Sequence, residues 1–338
     1  MVKRTTILTM LSFVIIGVMI FNPMASTAIA GPKVLKLSHQ WAKGDIRDQW
    51  GQKWAELVEE KTKGSVKFRM YPAASIYKAK AQYDALKKGA LDACVLPFIY
   101  LSGKIPAYAI TSMPCLVKNA AQGTKWGNAA IGRKLDEIGQ KSGFRTASWG
   151  CIMGSVGGKK KPVIVPSDLQ GFRVRGAGSA MEEVLKAGGA SITSMPSTEV
   201  YFALQTGTLD GLTTTYSSFL SFRLYEVIDH LTISEVYGIF YAHHGILISN
   251  TAWGRLTDSE KKAVIEAGKE VEPFMLQLAN GILDKTKMEF KSKGVQIHDL
   301  SEENFNKWFE LAQKTAYKTY AKKVANGQEL LDLALEVK

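Results

Sequence analysis

An alternation of strand-like and helix-like segments, occurring twice, constrains this chain more than any other feature. VLKLS (Val34 to Ser38) alternates apolar and polar residues and reads as a strand. Gly44 to Lys63 reads as a helix, with Trp50, Trp54, Leu57 and Val58 on one stripe and Gly64 as its stop. Val66 to Tyr71 reads as a second strand, ended by Pro72. Lys78 to Lys88 follows as a helix and Leu91 to Leu96 as a third strand. Strand, helix, strand, helix, strand predicts an α/β domain with a largely parallel sheet.

The second run starts with a helix over Thr124 to Lys141 and a strand over Arg145 to Trp149. Val163 to Ser167 is a turn entry. Phe172 to Arg175 is a short strand, Ser179 to Gly188 a helix and Ala190 to Met195 a strand. Ser197 is placed to cap a helix through Gln205, which Gly207 ends, and Gly211 to Thr215 is another strand. A second domain is therefore expected from near residue 155. From Leu256 the pattern is helical over Asp258 to Lys293, Ser301 to Ala325 and Gln328 to Glu336. These lysine-rich helices are expected to brace the domains.

The first thirty residues follow a different rule. Lys3 and Arg4 precede an apolar run from Ile7 to Phe21, and Ala28-Ile29-Ala30 is a small-x-small cleavage site before Gly31. The run is shorter than the ~20 apolar residues that span a bilayer, and Asn22-Pro23 interrupts it. A secretory signal peptide over residues 1–30 and a periplasmic mature protein are expected. The mature chain is long enough for two domains.

The net charge of +12 is spread over helical stretches, and Lys159-Lys160-Lys161 is the one run. No basic stripe is interleaved with aromatics, so nucleic acid is not expected as a partner. The three cysteines, Cys94, Cys115 and Cys151, lie in apolar surroundings and are expected as small core residues, a Cys94–Cys115 disulfide being the alternative. His39, His230, His243, His244 and His298 are not grouped with them, and His243 and His244 would point to opposite faces of a strand. No metal site and no cofactor are expected. GxxxxGK[ST], GxSxG, HExxH and GxGxxG are all missing from the sequence, which argues against an enzyme.

In SDLQGFRVRGAG (Ser167 to Gly178), Arg173 and Arg175 alternate across Val174 and should face opposite ways. Arg175 ends the strand beside Gly176, Ala177 and Gly178, where little side chain stands in the way of a ligand. A guanidinium there offers a planar fork to an anion. Pairing with a structural acid, Asp210 or Glu199, is the alternative.

This segment, followed by MPSTEVYFALQTGTLDG, resembles the second-domain signature of the substrate-binding proteins of tripartite ATP-independent periplasmic (TRAP) transporters. Upstream, LSHQWAKGD, VEEKTKGSVKFRMYP and DALKKGALDACV resemble the first domain of the same family. The resemblance implies a two-lobed α/β clamshell, the periplasmic-binding-protein fold. Each lobe would be a mixed sheet flanked by helices, with long C-terminal helices bracing the lobes. It implies one lobe of residues 31–155 plus about 243–282, another of about 156–242 plus 283–338, and a ligand cleft between them. It also implies delivery of an organic anion to TRAP-type membrane permease subunits. The chain itself is expected to be a monomer.

By position, Arg175 matches the family arginine that grips the ligand carboxylate. Two positions depart from the family pattern. Lys161 stands where many members carry a second arginine, and Thr214 stands where many carry an asparagine. His39, Gln40 and Trp41 after the first strand, Tyr100 after the third, and Trp149 are candidate lining residues, and Ser197, Tyr216 and His244 complete the set. Pro97 stands about where some sugar-acid binders place a glutamate. This aromatic and apolar character favours a monocarboxylate with an aromatic or apolar body, such as an aromatic amino or 2-oxo acid. A C4-dicarboxylate, a small sulfonate, and service to an ATP-driven importer are the alternatives.

Overall fold

The computed structural model describes residues 31–338, so the expected signal segment lies outside the described residues. The first run folds as its pattern predicts. β1 (Lys33–Ser38), α1 (Ile46–Lys61), β2 (Val66–Tyr71), α2 (Gln82–Lys87) and β3 (Ala93–Pro97) follow one another. Asp45 caps α1 by accepting from the Arg47 N–H, and the stripe of Trp50, Trp54, Leu57 and Val58 is buried. β1 pairs in parallel with both β2 and β3.

The next segment departs from the expectation. In place of one helix over Thr124 to Lys141 there are α3 (Ala120–Thr124), a 3-10 turn (Lys125–Asn128) and α4 (Ala130–Lys141). The chain kinks at Ala129, whose ψ of 170° is extended, and the kink drops the Trp126 side chain into the core. Gly132 permits it, because a Cβ there would lie 1.9 Å from the Trp126 carbonyl oxygen.

β4 runs over Phe144–Gly158, well past Trp149. The glycines that read as breakers are places of close approach: a Cβ at Gly154 would lie 2.3 Å from the Phe240 ring. The rest of the second run is β5 (Arg173–Arg175), α5 (Ser179–Ala187), β6 (Ser191–Thr193), α6 (Val200–Gln205), β7 (Gly211–Thr215) and α7 (Tyr216–Ser221). Two strands without a clear sequence signature follow, β8 (His230–Ile233) and the fully buried β9 (Phe240–Ser249).

After α8 (Asn250–Gly254) comes α9 (Asp258–Ser292), opened by a Thr257/Glu260 capping box. β10 (Gln296–Asp299), α10 (Glu302–Ala312), α11 (Lys318–Lys323) and α12 (Gly327–Leu335) close the chain. The expected single helix over Ser301 to Ala325 is interrupted by a π-helical turn at Gln313–Tyr317.

Pairing runs β2-β1-β3-β9-β4-β7-β5-β6, with β8 paired to β4 and β10. The sheet is mixed. Parallel pairs occupy its two ends, and β4 and β9 cross between them as an antiparallel ribbon from Phe144↔Ser249 to Gly154↔Phe240. One apolar cluster covers each face, as β3 shows: Cys94 and Leu96 join one cluster, Ala93 and Val95 the other. α9, about 50 Å long, packs on α1, β4 and α7 and so braces both ends of the sheet. The fold is the two-lobed α/β arrangement. The three cysteines are buried and unpaired, so the Cys94–Cys115 alternative does not form; burial pushes each thiol up.

Candidate functional site

β5 is three residues long and lies between β6 and β7, so its side chains are fixed by parallel neighbours on both edges. Arg173 and Arg175 do point to opposite faces. The Arg173 side chain is half exposed and forks onto Asp210, with Nε and Nη2 donating to the two carboxylate oxygens at 2.8 and 2.7 Å. Arg175 is 3% exposed. Its Nε donates to the Met195 carbonyl at 3.0 Å and its Nη1 to the Thr213 carbonyl at 2.7 Å. Asp210, the structural acid considered for Arg175, is taken by Arg173. Two carbonyls orient the buried guanidinium without cancelling its charge. Burial lowers its pKa, and Tyr100 and Glu182 act against that.

Arg175 borders a small, partly open cavity of about 30 Å³ between the two ends of the sheet. Six expected residues meet there: Gln40, Trp41, Tyr100, Arg175, Ser197 and Thr214, with His244 as a seventh. They arrive from loops after β1 and β3, the turn before α6, and β7 and β9. The Ser197 N–H donates to the Tyr100 hydroxyl at 3.0 Å, and Gln40 Nε2 donates to Ser197 Oγ at 3.3 Å. Ser197 therefore does not act as a helix cap; its hydroxyl is engaged across the cleft. The Gln40 Oε1 acceptor and the Trp41 Nε1 donor are buried without a partner in the chain. His244 Nδ1 donates to the Ala242 carbonyl at 3.0 Å, which leaves Nε2 as an acceptor on a neutral ring. Burial pushes that imidazole down to about 3.

Four expected residues lie elsewhere. Lys161 is exposed, and its Nζ sits 4.6 Å over the Phe172 ring. Trp149 belongs to the core, 4.5 Å from the Phe98 ring. Tyr216 is core as well, its hydroxyl accepting from the Ser234 N–H. His39 stands behind the lining: its Nε2 meets Asp48 at 2.9 Å and ties the β1 loop to α1. In each case an apolar or ionic partner supplied by the fold competes with the cleft and wins.

Among the lining residues that the sequence reading did not pick out, Arg47 is the charged one. It is 1% exposed, lies 4.0 Å over the Trp41 ring, and donates through Nη1 to Ser218 Oγ at 2.9 Å. Its Nε and Nη2 fork onto Asp45 at 2.7 and 2.6 Å. A signal was present in GDIRDQW: a cation in a first helical turn opposes the helix dipole and needs a reason.

Residues 37–323 match the bacterial extracellular solute-binding protein family 7, named DctP. The chain belongs to this family. A solute-binding protein of Albidiferax ferrireducens is 34% identical over 314 residues, 91% of this chain and 93% of the relative. The C4-dicarboxylate-binding periplasmic protein DctP of Rhodobacter capsulatus is 26% identical over 288 residues, 84% of this chain and 85% of the relative. The crystal structure of a TRAP periplasmic solute-binding protein from Rhodoferax ferrireducens with bound malonate is also similar. It is 34% identical and superposes with a TM-score of 0.87, covering 90% of this chain and 98% of that one. The chain is thus a solute-binding protein of the TRAP type. Among the described residues, no helix is long and apolar enough to cross a membrane.

Proposed function

We propose that this solute-binding protein works in the periplasm, captures a compact organic monoanion and presents it to TRAP permease subunits. The observation that carries the reading is the buried Arg175 guanidinium, held by the Met195 and Thr213 carbonyls at the edge of a small cavity. A ligand carboxylate is the partner this geometry suits. The charges at the cavity favour one negative group. Arg175 makes no ion pair among the described residues, Arg47 is matched by Asp45, and His244 is neutral.

Size favours a small body. At ~10–15 Å³ per water, a cavity of about 30 Å³ holds two or three waters. On this ground we favour a short acid over an aromatic body. The buried acceptor Gln40 Oε1 and the donor Trp41 Nε1 favour an acid with a further polar group, such as a short hydroxy acid. The lobes would part and close about β4 and β9, with the division near residues 155 and 242.

A short dicarboxylate is the second reading, favoured by the malonate bound to the Rhodoferax relative and by the second guanidinium at the cavity. Calorimetry with lactate, propanoate, malonate and malate tests both. Tightest binding of lactate supports the first reading, and tightest binding of malonate or malate replaces it with the second. Binding of none of the four overturns both.

A further inference from the structure

The second guanidinium at the cavity is held by an acid that does not itself line it. Arg47 reaches the cavity with one edge, while its other edge is covered by the Asp45 carboxylate. Both side chains are almost fully buried, at 1% and 2% exposure, so solvent does little to screen either charge. The pair is fixed locally, because Asp45 also accepts from the Arg47 N–H at 2.8 Å as the cap of α1. It is fixed across the cleft too: Arg47 Nη1 reaches Ser218 Oγ at 2.9 Å, and Nη2 reaches Ser221 Oγ at 3.4 Å. Burial alone would push the Asp45 carboxyl up, but the Arg47 guanidinium outweighs it and holds the group below its ordinary value. Asp45 is therefore a permanent negative charge one residue behind the binding surface.

We infer that Asp45 sets the charge of the ligand this cleft accepts, by cancelling Arg47 and leaving Arg175 as the one guanidinium at the cavity without an ion pair. This inference rests on the proposal that the cavity beside Arg175 is the anion site. Asp45 acts through Arg47 and touches no ligand; it is a specificity-determining residue by electrostatics. Without its charge the cleft carries two cations and suits a dianion. Without Arg47 the Asp45 carboxylate faces the cleft and repels any anion.

A charge cycle with lactate and malate, which differ by one carboxylate, tests this by calorimetry on the full mature chain. Asp45→Asn keeps the shape and the capping oxygen and should raise malate affinity relative to lactate on the order of tenfold. Arg47→Gln should weaken both acids, and malate more than lactate. Asp45→Asn combined with Arg47→Gln removes both charges and should return the lactate-to-malate ratio to that of the parent. Ratios within about twofold across the parent and all variants would overturn the inference. If Asp45→Asn alone does not fold, Arg47→Gln against the double variant carries the test, and equal anion binding by those two overturns it. A parent that prefers malate overturns the monoanion proposal, whereas the shift caused by Asp45→Asn still decides the role of Asp45. A parent that binds neither acid overturns both.

Discussion

The hydroxyls of Tyr100 and Ser197 lie 3.2 Å apart across the cleft, and the Ser197 N–H also donates to the Tyr100 oxygen at 3.0 Å. One side chain comes from the segment after β3, the other from the turn before α6, so the contact ties the two ends of the sheet together. Tyr100→Phe keeps the ring and removes both bonds. Losing them costs about 1 kcal/mol, a five- to tenfold loss of affinity that should appear as faster ligand release. Stopped-flow release rates check this, and an unchanged rate would mean that the contact does not hold the closed form.

Arg175→Ala should weaken ligand binding by ~2–5 kcal/mol, since it removes the one guanidinium at the cavity that makes no ion pair. Arg175→Lys should recover little, because an ammonium cannot reach the Met195 and Thr213 carbonyls and still present a fork to a carboxylate. Lys161→Ala should leave affinity unchanged, as its Nζ lies over Phe172 at the surface. Calorimetry on the three variants, with circular dichroism for folding, gives the answer. Arg175→Ala binding within twofold of the parent would remove the clamp assignment.

Much of this was legible in the sequence where one local rule sufficed. The strand and helix periods gave β1 to β3, the helix stripe gave the buried tryptophans of α1, and the alternation of Arg173 and Arg175 gave opposite faces. What stayed hidden depended on contacts distant in sequence. The glycines of β4 look like breakers until Phe240 is placed against Gly154. β9 is apolar throughout and has no period to read. Trp149 and Tyr216 look like lining residues until Phe98 and Ser234 claim them. Arg47 belongs to the site only because α7 brings Ser218 to it.

Gly178 is a tight point of the closed cleft. Its φ is +96°, and a Cβ there would lie 2.0 Å from Ile99 Cγ1, in the segment after β3. Gly178→Ala pays a conformational penalty of about 1 kcal/mol in any state. The clash with Ile99 arises only when the two sides meet. Affinity should therefore fall at least about tenfold, more than the loss of stability explains. Calorimetry beside thermal unfolding of the ligand-free protein separates the two. A stability loss with unchanged affinity would show that Gly178 is not limiting for closure.

Glu272 gives a pH prediction with a definite sign. It lies on α9 behind β4, where Oε1 accepts from the Trp149 N–H at 3.1 Å. Burial pushes its carboxyl up to about 7 from an ordinary 4.5; the Trp149 N–H and Lys269 pull it back, and nearby Asp136 adds to the rise. Between those two values the folded protein keeps a proton that the unfolded chain has released. The stabilisation is fully present below about pH 4.5 and is lost as pH rises through about 7. Glu272→Gln keeps the acceptor and cannot ionise, so it should match the parent at pH 4 and be more stable at pH 8 by about 2–3 kcal/mol. Denaturant unfolding of both proteins across this range gives the difference directly, and subtraction cancels the opposite slope contributed by His243 and His244, whose imidazoles burial holds near 4 and 3. A difference that does not grow with pH would mean that Glu272 ionises in the fold without cost.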